Sequence, residues 1–143
     1  MNDMNKTTEV ATIFVIDDDD VDFKLLQYEF TKSKIINPIV RAKDGVDALE
    51  ILASGKIEKP FVILLDLNMP RMGGIEFLGE LRKHQDFEDT VVFILSTSAD
   101  SKDIKASYKK HVSGYFIKDD ATKSIRQIVD VLGGYFLIVT LPE

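Results

Sequence analysis

The chain has 143 residues, a formal net charge of −6 and a pI near 4.9. Its length fits one domain, and its 45% hydrophobic and 29% charged residues are typical of a soluble globular protein. The absence of cysteine excludes disulfides and thiolate metal sites, and the absence of a Lys/Arg cluster argues against direct nucleic-acid binding. No apolar run approaches the ~20 residues of a membrane span, and the N-terminus lacks a signal-peptide pattern. We therefore expect a cytoplasmic protein with neither a nucleic-acid nor a membrane partner.

Five short apolar runs predict buried strands, because uninterrupted β-branched and aromatic runs are typical of parallel sheets. Apolar residues at helical spacing between and after them predict five helices. The alternation predicts right-handed βαβ units and an α/β, doubly wound fold around a five-stranded parallel sheet. The predicted strands are residues 12–16, 39–40, 61–66, 91–95 and 114–117, and Gly133-Gly134 closes the last helix.

Four of the predicted strands end at chemically reactive residues: Asp17-Asp18, Asp66, Ser96 and Lys118. The carboxyl ends of parallel strands meet at one edge of a sheet, so these side chains should lie close together. Three neighbouring carboxylates repel one another unless a cation is present, and hard oxygen ligands without His or Cys favour Mg²⁺.

Such a site suits phosphoryl transfer, with Asp66 as the nucleophile that forms an acyl phosphate. Lys118 and the cation would offset the charge of the transferred group, and Ser96 would donate a hydroxyl. Each residue also has a purely structural interpretation. The acidic run could be a solvated helix N-terminus, Ser96 a strand-end cap and Lys118 a surface residue.

The chain resembles the receiver domains of two-component response regulators over roughly residues 11–133. The resemblance rests on four segments: 15–18 (VIDD), 66–74 (DLNMPRMGG), 95–97 (LST) and 113–118 (SGYFIK). It implies a flavodoxin-like sheet with strand order 2-1-3-4-5. We accordingly expect a flexible N-terminal tail at residues 1–10, a receiver domain at 11–133 and a C-terminal extension at 134–143.

The resemblance also implies roles for individual residues. Asp66 would be the phosphoacceptor, with Lys118 beside the phosphoryl group. Asp18 would be a direct Mg²⁺ ligand, Asp17 a ligand mostly through water, and the backbone carbonyl of Asn68 the third protein ligand.

Further roles concern switching and dephosphorylation. By the resemblance, Ser96 is the switch hydroxyl, with Thr97 next to it, and Tyr115 is the aromatic residue that turns inward when Ser96 moves. Asn68 and Ser98 would flank the path of the water that hydrolyses the acyl phosphate, and neither can act as a general base. One departure is Asp119, which stands where receivers usually have proline after the lysine. A cis bond before a residue other than proline costs roughly 3 kcal/mol, so the departure leaves the isomer of the Lys118–Asp119 bond and the shape of the loop open.

The C-terminal extension is mostly apolar, and residues 135–139 have the composition of a strand. It is similar to the extension of single-domain receivers that partner phytochrome-type histidine kinases. The implied partner is a histidine kinase, of that type by the similarity, or a histidine phosphotransfer protein. Because the helices already cover the sheet, we expect this apolar segment to form a homodimer contact; packing on its own domain is the alternative.

The function predicted from these observations is a single-domain response regulator that catalyses only its own phosphorylation and slow self-dephosphorylation. A haloacid-dehalogenase-like Mg²⁺ phosphohydrolase is an alternative, but it would need a second Asp where Asn68 stands. A flavodoxin-like FMN carrier is disfavoured because Asp17–Asp20 would repel the FMN phosphate. A receiver that no longer takes phosphate is disfavoured because Asp17, Asp18, Asp66 and Lys118 are all present.

Overall fold

The structure is a computed structural model that describes residues 10–142, apart from the side chains of residues 121 and 138. The tail expected at residues 1–10 lies outside this range except for Val10. Strands and helices alternate along the chain, and within residues 10–142 no helix has both the length and the hydrophobicity to cross a membrane. The elements are β1 (Thr12–Ile16), α1 (Asp20–Lys32), β2 (Ile39–Ala42), α2 (Gly45–Ala53), β3 (Phe61–Leu65), α3 (Gly74–Lys83), β4 (Val91–Ser96), α4 (Ser101–Lys109), β5 (Gly114–Ile117) and α5 (Ala121–Ile138).

The five strands form one parallel sheet in the order β2-β1-β3-β4-β5. The predicted α/β, doubly wound fold and its 2-1-3-4-5 order are therefore confirmed. The register aligns the strand ends: Ile16 pairs with Leu65, and Ser96 pairs with Ile117. The residues that follow these strands consequently lie side by side at the carboxyl edge of the sheet.

Both faces of the sheet are covered, as the apolar strands predicted. Alternate side chains of a strand point to opposite faces. Phe14 and Ile16 pack with α2 and α3 on one face, and Ile13 and Val15 pack with α1 and α5 on the other. All five residues of β3 are buried, which makes the strand that precedes Asp66 the centre of the fold.

Helix α5 differs from its prediction, because it continues through Gly133-Gly134 to Ile138. An interior glycine costs a helix about 1 kcal/mol relative to alanine. Burial of aromatic surface outweighs this cost: the ring of Tyr135 packs edge-on against that of Phe93 with centroids 5.2 Å apart, and Phe136 packs against the same core. The strand predicted at residues 135–139 is therefore wrong, and this part of the extension packs on its own domain.

Gly134 of α5 leads to a prediction about the stability of the fold. An alanine Cβ at residue 134 would have no heavy atom within 4 Å, so Gly134→Ala removes backbone freedom from the unfolded chain without a clash. We expect the free energy of unfolding to rise by about 0.5–1 kcal/mol, measured by urea denaturation.

Gly74→Ala is the matched control, because a Cβ there would lie 2.7 Å from the carbonyl oxygen of Asp66 and 2.8 Å from Leu67 Cα. This variant should lose roughly 2 kcal/mol or more, since backbone must move. If Gly134→Ala were also destabilising, α5 would have to end before residue 134.

Candidate functional site

Three carboxylates predicted to act together do meet at the carboxyl edge of the sheet. Asp17 and Asp18 follow β1, Asp66 follows β3, and one ligand oxygen from each lies within 4.8 Å of the others. The backbone ties the two strand ends together, because the Asp66 amide donates to the Ile16 carbonyl at 2.9 Å. Asp17 and Asp66 are buried, whereas Asp18 is exposed. The cluster is thus open to solvent on the Asp18 side.

The four consecutive aspartates have distinct contacts. Asp19 is the N-cap of α1, and its Oδ1 accepts hydrogen bonds from the amides of Val21 and Asp22. The Asp19 amide donates to Asp17 Oδ1 at 2.9 Å, so the cap also orients the buried carboxylate. Asp20 forms an ion pair with Arg41 at 2.7 Å and takes no part in the cluster. Only Asp17 and Asp18 of this run face the site.

The cluster has the donor set of a divalent cation site. Asp17 Oδ2 is buried and has no hydrogen-bond partner among the described residues. Buried carboxylate oxygens are normally paired, and a bound cation would satisfy this one. Asp17, Asp18 and Asp66 could therefore hold such an ion. The Asn68 amide donates to Asp66 Oδ1 at 3.2 Å, while the Asn68 carbonyl remains a predicted ligand.

The pKa values of the two buried carboxyls, Asp17 and Asp66, both lie above the ordinary value. Burial raises the pKa of Asp17 to about 7, and the charges of Asp66 and Asp22 add to the effect. Burial also raises the pKa of Asp66 to about 6, with repulsion from Asp18 and Asp22 adding to it. Because both values exceed the ordinary 3.8, these groups stabilise the metal-free fold at low pH and lose that contribution as pH rises through 6 and 7.

Lys118 has a partner that the sequence did not reveal. Its Nζ donates to Asp22 Oδ2 at 2.6 Å and lies 4.0 Å from Asp17 Oδ2, and its side chain is only 7% exposed. Burial alone would lower the pKa of Lys118, but the hydrogen bond with Asp22 and the charges of Asp17 and Asp66 raise it overall. Lys118 is thus held inside the site as an ammonium. The Lys118–Asp119 bond, whose isomer the sequence left open, is trans.

The predicted switch residues are linked through Ser98. Ser96 is fully buried, and its Oγ accepts a hydrogen bond from the Ser98 amide at 3.1 Å. The half-buried Tyr115 donates its hydroxyl to the Ser98 carbonyl at 2.8 Å, and Ser98 Oγ donates to Asp103 Oδ2 at 2.5 Å. Thr97 is exposed. The described structure therefore joins Ser96, Ser98 and Tyr115 directly.

Two arginines stiffen the loops around the site. Arg41 donates from Nε and one terminal nitrogen to the Asp17 carbonyl, at 3.1 and 3.0 Å. Arg71 makes a two-pronged contact with the buried Asp44, the N-cap of α2, at 2.7 and 3.0 Å, which lowers the pKa of Asp44. These contacts fix the loop after β1 and the loop after β3.

Comparison with known proteins identifies the family to which the chain is similar. A family model described as the response regulator receiver domain matches residues 13–130. The response regulator Rcp1 of Synechocystis is 33% identical over 135 residues, which is 91% of this chain and 92% of that protein.

Solved structures agree with the sequence comparison. The crystal structure of the phosphorylated cyanobacterial phytochrome response regulator RcpA superposes with a TM-score of 0.85 at 31% identity, covering 94% of this chain and all of that one. The Mn²⁺-bound form of Rcp1 superposes with a TM-score of 0.84 at 30% identity, covering 93% of this chain and 99% of that one. The chain therefore belongs to the response regulator receiver domain family and is a response regulator of two-component signalling.

Proposed function

We propose that Asp66 is the phosphoacceptor of this response regulator and that Mg²⁺ is its metal. The observation that carries the proposal is the convergence of Asp17, Asp18 and Asp66 beside the buried Lys118 ammonium. A divalent ion would supply charge neutralisation for the acidic cluster and the incoming phosphoryl group. The similarity to Mn²⁺-bound Rcp1 supports a divalent cation, and the all-oxygen donor set favours Mg²⁺.

The phosphoryl transfer follows from the contacts of Asp66. Its Oδ1 accepts the Asn68 amide hydrogen bond, which leaves Oδ2 as the nucleophile. A new bond forms between this oxygen and phosphorus, and the phosphorus–nitrogen bond of the donor's phosphohistidine breaks. The bonding electron pair stays on the imidazole nitrogen, which takes up a proton. Lys118 would offset the negative charge that the phosphoryl group brings into the site.

The phosphoryl donor in this proposal is a histidine kinase of the phytochrome type or a histidine phosphotransfer protein. The similarity to RcpA, described as a phytochrome response regulator, supports this choice. The protein would act in the cytoplasm through protein contacts and would catalyse only its own phosphorylation and slow self-dephosphorylation. The haloacid-dehalogenase alternative lacks its acid/base residue, because position 68 is Asn.

Two further sets of residues complete the proposed cycle. Ser96 and Thr97 would respond to the phosphoryl group, and the Tyr115 hydroxyl bond to the Ser98 carbonyl would transmit that response. Asn68 and Ser98 would flank the entry of hydrolytic water. Both side chains are neutral, so hydrolysis without a general base should be slow.

We also propose that the C-terminal extension, residues 134–143, contacts a second copy of the chain. Leu137 at the end of α5 is 85% exposed, and Ile36 in the loop after α1 is 83% exposed. Both line one groove of about 930 Å³. An exposed apolar patch of this kind is normally covered, and a two-fold dimer would cover it with the same patch of the partner.

Phosphorylation at Asp66 can be tested with acetyl phosphate and Mg²⁺. The intact mass should rise by about 80 Da, because one phosphoryl group replaces a proton on the nucleophile. Asp66→Asn keeps the shape of the side chain but removes the nucleophile, so its mass should not change. An equal gain in that variant would assign phosphorylation to another residue.

Metal affinity should depend on pH, because Mg²⁺ competes with protons on Asp17 and Asp66. With pKa values of about 7 and about 6, both groups are largely protonated at pH 5.5 and largely ionised at pH 7.5. We expect the affinity to rise roughly 10- to 100-fold over this range by isothermal titration calorimetry, following the titration of the two groups.

The matched controls for this experiment are Asp18→Asn and Asp20→Asn. The first removes a charge from the cluster and should weaken binding at every pH, whereas the second removes a charge that pairs with Arg41 and should leave binding nearly unchanged. Equal affinities in the two variants would contradict the assignment of the ligands.

The dimer contact can be tested without disturbing the core. Leu137→Glu together with Ile36→Glu places charge on the exposed patch, so a dimer should dissociate to the 16.1 kDa monomer in light scattering at tens of micromolar. Val21→Glu, a 72% exposed position in the first turn of α1, is the control and should stay dimeric. A monomeric parent protein, or a double variant that remains dimeric, would exclude this contact.

A further inference from the structure

Lys118 makes its shortest ionic contact with Asp22 rather than with the phosphoacceptor. The distance from Nζ to Asp22 Oδ2 is 2.6 Å, and the Asp22 side chain is 11% exposed. Among the described residues, no ion pair joins Lys118 to Asp66. The strongest partner of the ammonium is therefore a residue for which neither the sequence motif nor the proposed phosphoryl transfer provides a role.

Backbone contacts fix both ends of this pair. Asp22 lies in the first turn of α1, and its amide donates to the N-cap Asp19 at 3.1 Å. Lys118 follows β5, and its amide donates to the Ser96 carbonyl at 2.7 Å. The carboxylate is thus presented by a capped helix and the ammonium by a strand end. The contact between them spans 96 residues of sequence, and the fold holds it in place.

Negative groups outnumber the ammonium at this site, so they compete for contact with Lys118. The Lys118 ammonium contacts the carboxylates of Asp22 and Asp17, and Asp17 clusters in turn with Asp18 and Asp66. A phosphoryl group on Asp66 adds further negative charge beside the same ammonium. A lysine ammonium is a compact charge on a flexible stem and can exchange one anionic partner for another. Any gain of a phosphoryl contact by Lys118 therefore competes with its contact to Asp22.

We propose that Asp22 is a positioning residue that holds Lys118 in the unphosphorylated protein and competes with the phosphoryl group for its ammonium. This inference rests on the proposed function, because it concerns the group that Lys118 would bind. The competition lowers the affinity of the site for phosphoryl-like anions. It also makes release of Asp22, on α1, part of the response to phosphorylation.

The test uses beryllofluoride, a stable mimic of an aspartyl phosphate, at saturating Mg²⁺. Asp22→Asn keeps the side-chain shape but removes the competing charge, so the dissociation constant for beryllofluoride should fall by about 3- to 10-fold, as for a coupled pair of contacting residues. Asp20→Asn removes the same charge from the same helical turn without touching Lys118, and its affinity should stay within about twofold of the parent.

A double-mutant cycle separates competition from simple repulsion. In a Lys118→Ala background, Asp22→Asn has no ammonium to release, so its gain in beryllofluoride affinity should largely disappear. The same or a greater gain in that background would show charge repulsion alone and would overturn the proposal. Unchanged or weaker binding by Asp22→Asn in the parent background would also overturn it.

Two further measurements keep the outcome decisive. Thermal unfolding confirms that each variant is folded, and Asp22→Ala is measured beside Asp22→Asn in case one of them is not. A parent protein that fails to bind beryllofluoride with Mg²⁺ would contradict the proposed function itself. A parent that binds it, with both Asp22 variants unchanged, would contradict only the role of Asp22.

Discussion

Among the described residues, four carboxylates and the Lys118 ammonium meet at the carboxyl edge of the sheet, and this excess of negative charge governs the site. Asp17, Asp22 and Asp66 are buried, where like charges repel far more strongly than in water. Burial raises the pKa values of Asp17 and Asp66, and repulsion from the neighbouring carboxylates adds to the effect. The fold tolerates it because β1 and β3 are packed on both faces and fix the positions of the residues that follow them. Packing of the sheet stabilises the fold, and part of this stabilisation offsets the unfavourable free energy of the buried carboxylates.

Two arginines hold the loops that surround the carboxylates. Arg41 holds the Asp17 carbonyl and also pairs with Asp20, so one guanidinium shapes the whole turn into α1. Arg71 clamps the loop after Asp66 onto the N-cap of α2 through the buried Asp44. Guanidinium groups suit this task because their planar donors engage two acceptors at once. The acidic cluster is therefore framed by cations that do not enter it.

Much of the fold and part of the site could be predicted from sequence. The strands were found because doubly buried strands are continuous apolar runs, and parallel order then brought Asp17, Asp18 and Asp66 to one edge. The end of α5 was not found, because Gly133-Gly134 is a strong local stop signal and the packing of Tyr135 on Phe93 is a tertiary effect.

The partner of Lys118 was missed for a related reason. An acidic residue in the first turn of a helix is explained by the helix dipole alone, so Asp22 gave no signal of its contact with a distant lysine. Asp103 was missed in the same way, because it lies in the first turn of α4 and its contact with Ser98 depends on the loop before that helix. Local patterns located the charges of the site but not their pairing.

Ser98 has a consequence for how this protein can be altered. Its amide donates to Ser96, its carbonyl accepts from Tyr115, and its hydroxyl donates to Asp103 and accepts from the Asp100 amide. One residue therefore links the end of β4, the start of α4 and the Tyr115 side chain of β5. A replacement at position 98 that is chosen to change solvent entry also removes a contact of α4, because Asp103 loses the hydrogen bond that it accepts from the Ser98 hydroxyl. Rates measured in such variants report on two coupled properties, and a change at Asp103 is needed to tell them apart.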